Sequence, residues 1–173
     1  TYYVGVIADN GNLVTELNEA NNTGVGGTIK LGADLSVSNS ALAVDWAGAG
    51  GNFTYTYTAS NSGNVATGAT TSGIYLSTDS TITTADRLVA ADTLQSVAVG
   101  GSLNAGGSFV LPGDIAAGTY YIGVIGDYAN ALAELNESNN TTGGQLITVF
   151  TNNGDTLTVP TAERSWHGLG GND

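Results

Sequence analysis

Residues 53–59, FTYTYTA, alternate strictly, with aromatic side chains on one side and threonines on the other. A period of two marks a half-buried strand, because successive β side chains point to opposite faces. Asn61-Ser62-Gly63-Asn64 follows and predicts a turn, since these residues tolerate or stabilise turn dihedrals. Residues 73–77 predict the next strand, 95–99 a third and 108–111 a fourth, stopped by Pro112-Gly113. Residues 119–126 are apolar at nearly every position, as expected of a strand buried in the middle of a sheet. Residues 145–150 alternate again, and 34–44 opens the set. Seven short strands with turns between them and no helical period predict an all-β fold, an immunoglobulin-like antiparallel β-sandwich of about seven strands. Tyr120 stands where such a sandwich places a tyrosine corner, whose hydroxyl caps an upstream backbone group, and Tyr2 is its equivalent in a second copy. A plain core aromatic is the alternative for Tyr120.

That second copy is the other strong pattern. TYYVGVIADNGNLVTELNEANNT at the start of the chain returns as TYYIGVIGDYANALAELNESNNT from Thr119. Residues 1–31 and 119–149 are identical at 17 of 31 ungapped positions, 118 positions apart. A spacing of domain size between strong copies predicts an array of whole domains. Three parts follow: 1–31 is the C-terminal third of a preceding repeat, 32–150 a complete repeat, and 151–173 a linker or cap of different character. The chain is thus expected to be a piece of a longer tandem protein. Two strands alone are marginal in water, so 1–31 is expected to pack on the intact domain, remain partly disordered, or complete a neighbour's sandwich by strand donation. The last outcome would build a filament.

Composition narrows the function. There are 15 acids against 3 bases and a net charge of −12. Such a chain has no basic stripe to displace counterions from nucleic acid and no attraction to anionic lipid. The absence of cysteine removes disulfides and thiolate metal sites. No apolar run reaches the length of a membrane helix, so membrane insertion is not expected. Lone His167 beside Trp166 has no partners for a triad or a zinc site. No Gly-x-Ser-x-Gly elbow, phosphate loop or dinucleotide fingerprint occurs. The chain is therefore not expected to be an enzyme.

Acidic oxygens are the remaining chemistry. Asp127, Glu134 and Glu137 cluster after the apolar strand, interleaved with Asn136, Asn139 and Asn140, and the first copy repeats them as Asp9, Glu16 and Glu19. All-oxygen donors suit calcium, which takes 6–8 of them in irregular geometry. The alternative is structural, because Asp and Asn cap turns through backbone amides. Asp79 and Asp86 bracket a hydroxyl-rich loop that lacks the glycine and glutamate of an EF-hand. A turn stabilising a strand crossover is the expectation there.

The order Asp34-Leu35-Ser36-Val37, Tyr55–Gly63 (YTYTASNSG), Tyr75-Leu76-Ser77-Thr78-Asp79, Gly118-Thr119-Tyr120-Tyr121 and Glu134-Leu135-Asn136-Glu137-Ser138-Asn139-Asn140 resembles a CARDB domain, the cell-adhesion-related domain of bacterial and archaeal surface proteins. The resemblance implies an immunoglobulin-like sandwich, usually in tandem, on secreted or surface-attached proteins, without catalytic activity. Gly170-Gly171-Asn172-Asp173 is similar to the opening of an RTX calcium-binding repeat, which adds Asp173 to the candidate calcium ligands and implies export into calcium-rich medium. The functional expectation is a non-catalytic, calcium-linked extracellular adhesion or interaction module, with a protein or glycan at the cell surface as partner, or self-association in a repeat array or filament. A structural spacer and an accessory domain of a secreted hydrolase are the other two readings.

Overall fold

The computed structural model describes residues 1–151, in ten strands: β1 (Tyr2–Ile7), β2 (Thr23–Ile29), β3 (Leu35–Leu42), β4 (Trp46–Gly48), β5 (Asn52–Asn61), β6 (Thr70–Ser77), β7 (Arg87–Leu94), β8 (Ser102–Val110), β9 (Gly118–Ile125) and β10 (Gln145–Phe150). β1 and β2 pair only with each other. The other eight form two sheets, in the orders β4-β10-β9-β6-β7 and β3-β5-β8. All pairings are antiparallel except β10 with β4.

The alternating pattern of β5 sets the smaller sheet. Phe53, Tyr55, Tyr57 and Ala59 are buried between the sheets, and Thr54 and Thr56 face outward. Phe53 stacks on Phe109 of β8 with ring centroids 5.6 Å apart. Facing them across the core are Ile74 and Leu76 of β6, Ile122 and Val124 of β9, and Ile147 and Val149 of β10. Burying that apolar area is the main force holding the sheets together.

β9 sits in the centre of the five-stranded sheet and is covered on both sides, as its unbroken apolar run predicts. Its outer side chains, Tyr121 and Ile125, join Tyr75, Tyr128 and Ile82 in a second small cluster. Ile82 comes from the 78–86 loop, which folds back over the sheet. Glycine makes room for it: a Cβ at Gly123 would collide with Ile82 Cγ1, and one at Gly144 would lie 3.2 Å from Ile82 Cδ1. The tyrosine corner is present, with the Tyr120 hydroxyl donating to the Ala116 carbonyl at 3.2 Å.

Three expectations are corrected. Residues 95–99 are not a strand; the strand is β7, Arg87–Leu94. Val97 is buried for another reason: its N–H donates to Thr67 Oγ1 and its carbonyl accepts from Thr67 N and the Asn61 amide, anchoring a loop. The strand at 108–111 is the end of the longer β8, whose start is obscured by Gly106 and Gly107. The 78–86 loop joins β6 to its antiparallel neighbour β7, so it is a long hairpin connection and not a crossover.

β3 starts at the end of the sandwich where the β9–β10 loop lies, marked by a bridge between Ala33 and Glu134. β10 runs back along β9 and finishes at the opposite end, with Val149 beside Gly118. Asn64 ties the segment before β3 to the first of these ends. Its side chain accepts from Gly32 N at 3.0 Å and donates to the Lys30 carbonyl at 2.8 Å.

Candidate functional site

The acidic β9–β10 loop is built around Asp127, which has φ of 46°. Positive φ is uncommon outside glycine, and Asp tolerates it through local hydrogen bonds. Asp127 is 4% exposed. Its carboxylate accepts from Ala131 N at 3.2 Å, Leu132 N at 2.8 Å and the Thr70 hydroxyl at 2.5 Å. Glu137 accepts from Glu134 N at 2.8 Å, and Asn136 from Ser138 N at 3.1 Å. Each side chain satisfies a turn amide, which is the capping role.

Glu134 does something different. One carboxylate oxygen accepts from Leu35 N at 2.7 Å, at the start of β3, and the other accepts from the Asn140 amide. Asn139 donates to Asp34 at 2.8 Å. Leu135 N–H donates to the Ala33 carbonyl at 2.8 Å. The loop therefore stitches the last hairpin to the first strand. Burial raises the Glu134 carboxyl above the usual glutamate range; the Asn140 amide and Leu35 N–H pull it down, and Glu137 and Asp127 add to the rise.

Residues 1–31 repeat the loop in detail. Asp9 has φ of 44° and accepts from Leu13 N at 2.8 Å and Val14 N at 2.9 Å. Those two amides hold its carboxyl below the ordinary range. Glu19 accepts from Glu16 N at 2.9 Å, and Asn18 from Ala20 N at 3.0 Å. Tyr2 pairs with Ile29 as Tyr120 pairs with Ile147. The difference lies in what surrounds the two hairpins. Val4, Val6 and Ile29 are 47%, 70% and 44% exposed, whereas their counterparts Ile122, Val124 and Ile147 are at most 2% exposed.

Asp79 and Asp86 cap separate turns: Asp79 accepts from Thr81 N at 2.7 Å, and Asp86 from Thr83 N at 2.7 Å and the Thr83 hydroxyl at 3.0 Å. Asp173 and His167 lie outside the described residues. Among the described residues, no group of three or more His, Cys, Asp or Glu side chains converges as a metal site would require.

The alternation that identifies β5 as a strand also marks a surface not singled out from sequence. On the outer face of the β3-β5-β8 sheet, Asn39, Thr54, Thr56, Thr58, Asn104 and Ser108 line an open, uncharged trough. Thr56 is exposed there, and its register neighbours are the small residues Ala41 and Gly106.

A family model described as CARDB matches residues 32–143. The CARDB domain of a Pyrococcus furiosus protein, solved in complex with di-metal ions, is 20% identical with a TM-score of 0.51, over 72% of this chain and 95% of that one. A domain of a Methanosarcina acetivorans protein, named provisionally as a cell surface protein, is 25% identical with a TM-score of 0.49, over 70% and 94% of the two chains. No curated protein matches the chain. The acidic loop does not fit a di-metal centre. Asp127 and Glu134 each use both carboxylate oxygens, and Glu137 one, as acceptors from amides and a hydroxyl of the chain. The buried acceptors without a hydrogen-bond partner in the loop, Asn139 Oδ1 and Asn140 Oδ1, are neutral and fall far short of a calcium shell.

Proposed function

Because the chain belongs to the CARDB family, a family of non-catalytic modules, we propose that it serves as an extracellular interaction module, one unit in a tandem array of like units. One observation carries this reading. The terminal hairpin of the sandwich occurs twice, 118 positions apart, with the same register and the same carboxylate caps. A fold in which the carboxylates of Asp9, Glu19, Asp79, Asp86, Asp127, Glu134 and Glu137 each hold a backbone amide is suited to bearing a surface, not to moving protons. The amide hydrogen bonds accepted by Asp127, Glu134 and Glu137 support a structural role for the acidic loop.

Of the partners expected from sequence, a neutral glycan suits the threonine trough. Its lining side chains are hydroxyls, amides and small groups without charge, on a chain whose net charge of −12 disfavours anionic partners. The test presents the immobilised chain to neutral and acidic cell-surface polysaccharides, alongside chromogenic glycosidase, esterase and protease substrates. The expected result is saturable binding of a neutral polysaccharide, weakened at least tenfold by Thr56→Lys, with no turnover. Turnover of any substrate, or no binding across the panel, overturns the reading.

A further inference from the structure

We propose that the free edge of β8 is a docking site for a second copy of this chain, whose own β8 pairs with it antiparallel to make one continuous sheet in the order β3-β5-β8-β8-β5-β3. The two main sheets have four edges, β4 and β7 on one and β3 and β8 on the other. Three of them are closed to pairing. β4 is three residues long. β7 is shifted in register against β6 between Ile74 and Tyr75, carries Arg87, and turns Asp92 inward, where Tyr55 and Tyr57 hold both of its oxygens. β3 has a register shift between Ser38 and Ala41, with φ of 51° at Asn39. Its backbone is also taken: Leu35 N donates to Glu134, Val37 N donates to the Asn139 carbonyl at 3.4 Å, and the Ser40 carbonyl accepts from the Gln145 amide. Short length, bulges, charges and inward-pointing acids are the devices by which sheet edges avoid other chains. β8 has none of them. Its nine residues, SLNAGGSFV, include no charge and no proline, and all nine stand in unbroken register with β5, from Asn52 opposite Val110 to Ser60 opposite Ser102. Among the described residues no strand lies on its other side. Such an edge presents a row of unpaired amides and carbonyls to a strand of another molecule.

Charge and register select the occupant. The chain carries a net charge of −12, so two copies repel over most of their surface. This sheet is the exception, because no residue of β3, β5 or β8 is charged. β8 is also complementary to itself. With Gly106 on the two-fold axis, Asn104 stands opposite the partner's Ser108 on the outer face, and this amide–hydroxyl pair occurs twice. On the core side Leu103 stands opposite the partner's Phe109. Residues directly opposite in an antiparallel pair share a face, so each of these pairs is in reach. Asn104 and Ser108 are exposed and Leu103 is half-buried, which leaves them surface for the contact. The arrangement is isologous and closes at two copies. It sets the two threonine troughs side by side on one six-stranded sheet.

The experiment uses the full chain. Sedimentation equilibrium up to about 1 mM, the range of weak association, is expected to show a monomer–dimer equilibrium that tightens as salt screens the repulsion between copies. Amide hydrogen exchange is expected to slow in Ser102–Val110 as the chain dimerises, and to stay unchanged in Arg87–Leu94 and Tyr2–Ile7. The double variant Asn104→Lys, Ser108→Lys puts like charges opposite each other at both outer pairs and is expected to weaken dimerisation about tenfold. Asn104→Glu with Ser108→Glu is expected to do the same, and an equimolar mixture of the two double variants is expected to pair again as a heterodimer. A chain that stays monomeric over this range overturns the inference. So does a dimer whose protection falls in β1, β2 or β7, and so does β8 protected at every concentration in a monomer, which would place another segment of the chain on this edge. Failure of the mixture to pair, with both variants melting as the native chain does, overturns it too. Where a variant loses its melting transition, the concentration-dependent protection of β8 in the unmodified chain decides alone.

Discussion

Single residues in this sandwich act through the space or the charge they leave to others. Gly123 is needed because Ile82 lies over the outer face of β9. Gly123→Val overpacks that site and is expected to cost about 1–3 kcal/mol, measured by urea denaturation; Gly5→Val in the parent chain should leave the sandwich transition unchanged. Glu134 is a case of charge. Its folded pKa is raised by burial, with Glu137 and Asp127 adding to the rise. The native state therefore holds extra proton between its unfolded value, about 4.3, and its folded one. Stability contributed by that proton is present at lower pH and is lost as pH rises through the window. Glu134→Gln is expected to flatten this slope and raise the melting midpoint at pH 7. An unchanged slope in the variant would show that another group sets it. Asp9 has the opposite sign: its lowered pKa stabilises its turn above about pH 3.9 and is lost as pH falls further.

Strands β5 and β7 show how elements of different sheets are fixed together. Tyr55 and Tyr57 each reach across the sandwich to Asp92, at 3.0 Å to its two oxygens. Burial is the largest reason that both phenols titrate far above their ordinary range, and Asp92 adds to it, while Ser72 pulls Tyr57 the other way. Hydrogen bonds to a charged group contribute about 1.5–3 kcal/mol. Tyr57→Phe is expected to lower stability by about that amount in chemical denaturation, with the aromatic packing retained. A loss under a few tenths of a kcal/mol would mean that Asp92 is held by water instead. The same pair explains why β7 was not legible. Its sequence, RLVAADTL, puts the polar Asp92 toward the sandwich at a sheet edge and breaks the alternation by which strands are recognised.

For the molecule as a whole, the two hairpins make an internal control: near-identical sequence and local hydrogen bonding in two surroundings. Exchange in β9 and β10 is expected to report global unfolding, and exchange in β1 and β2 to be close to that of an isolated hairpin, because little apolar surface is buried there. Similar protection of the two pairs would contradict the exposure of Val6 and Val25, at 70% and 90%. Calcium titration belongs at the same scale. A ligand specific to the native state raises the melting midpoint with its saturation. With the acidic loop already capped by its own amides, millimolar calcium is expected to leave the sandwich midpoint unchanged, and a saturable rise would restore the cation site.

The sequence by itself determined what depends on local order. Alternation located β5 and β10, the unbroken apolar run located β9, and the recurring hairpin specified its own register and caps twice, because those contacts lie within a few residues of each other. It also brought the carboxylates to notice without distinguishing ligands from caps, since both uses require the same oxygens. Only the tertiary structure showed the caps, by placing amides on Asp127 and Glu137 and the start of β3 on Glu134. It alone revealed the Ile82 plug, the Tyr–Asp92 link and the uncovered face of β1 and β2. Each of these joins residues far apart in the chain, and their contact follows from how the sheets pack, a distance that no local pattern encodes.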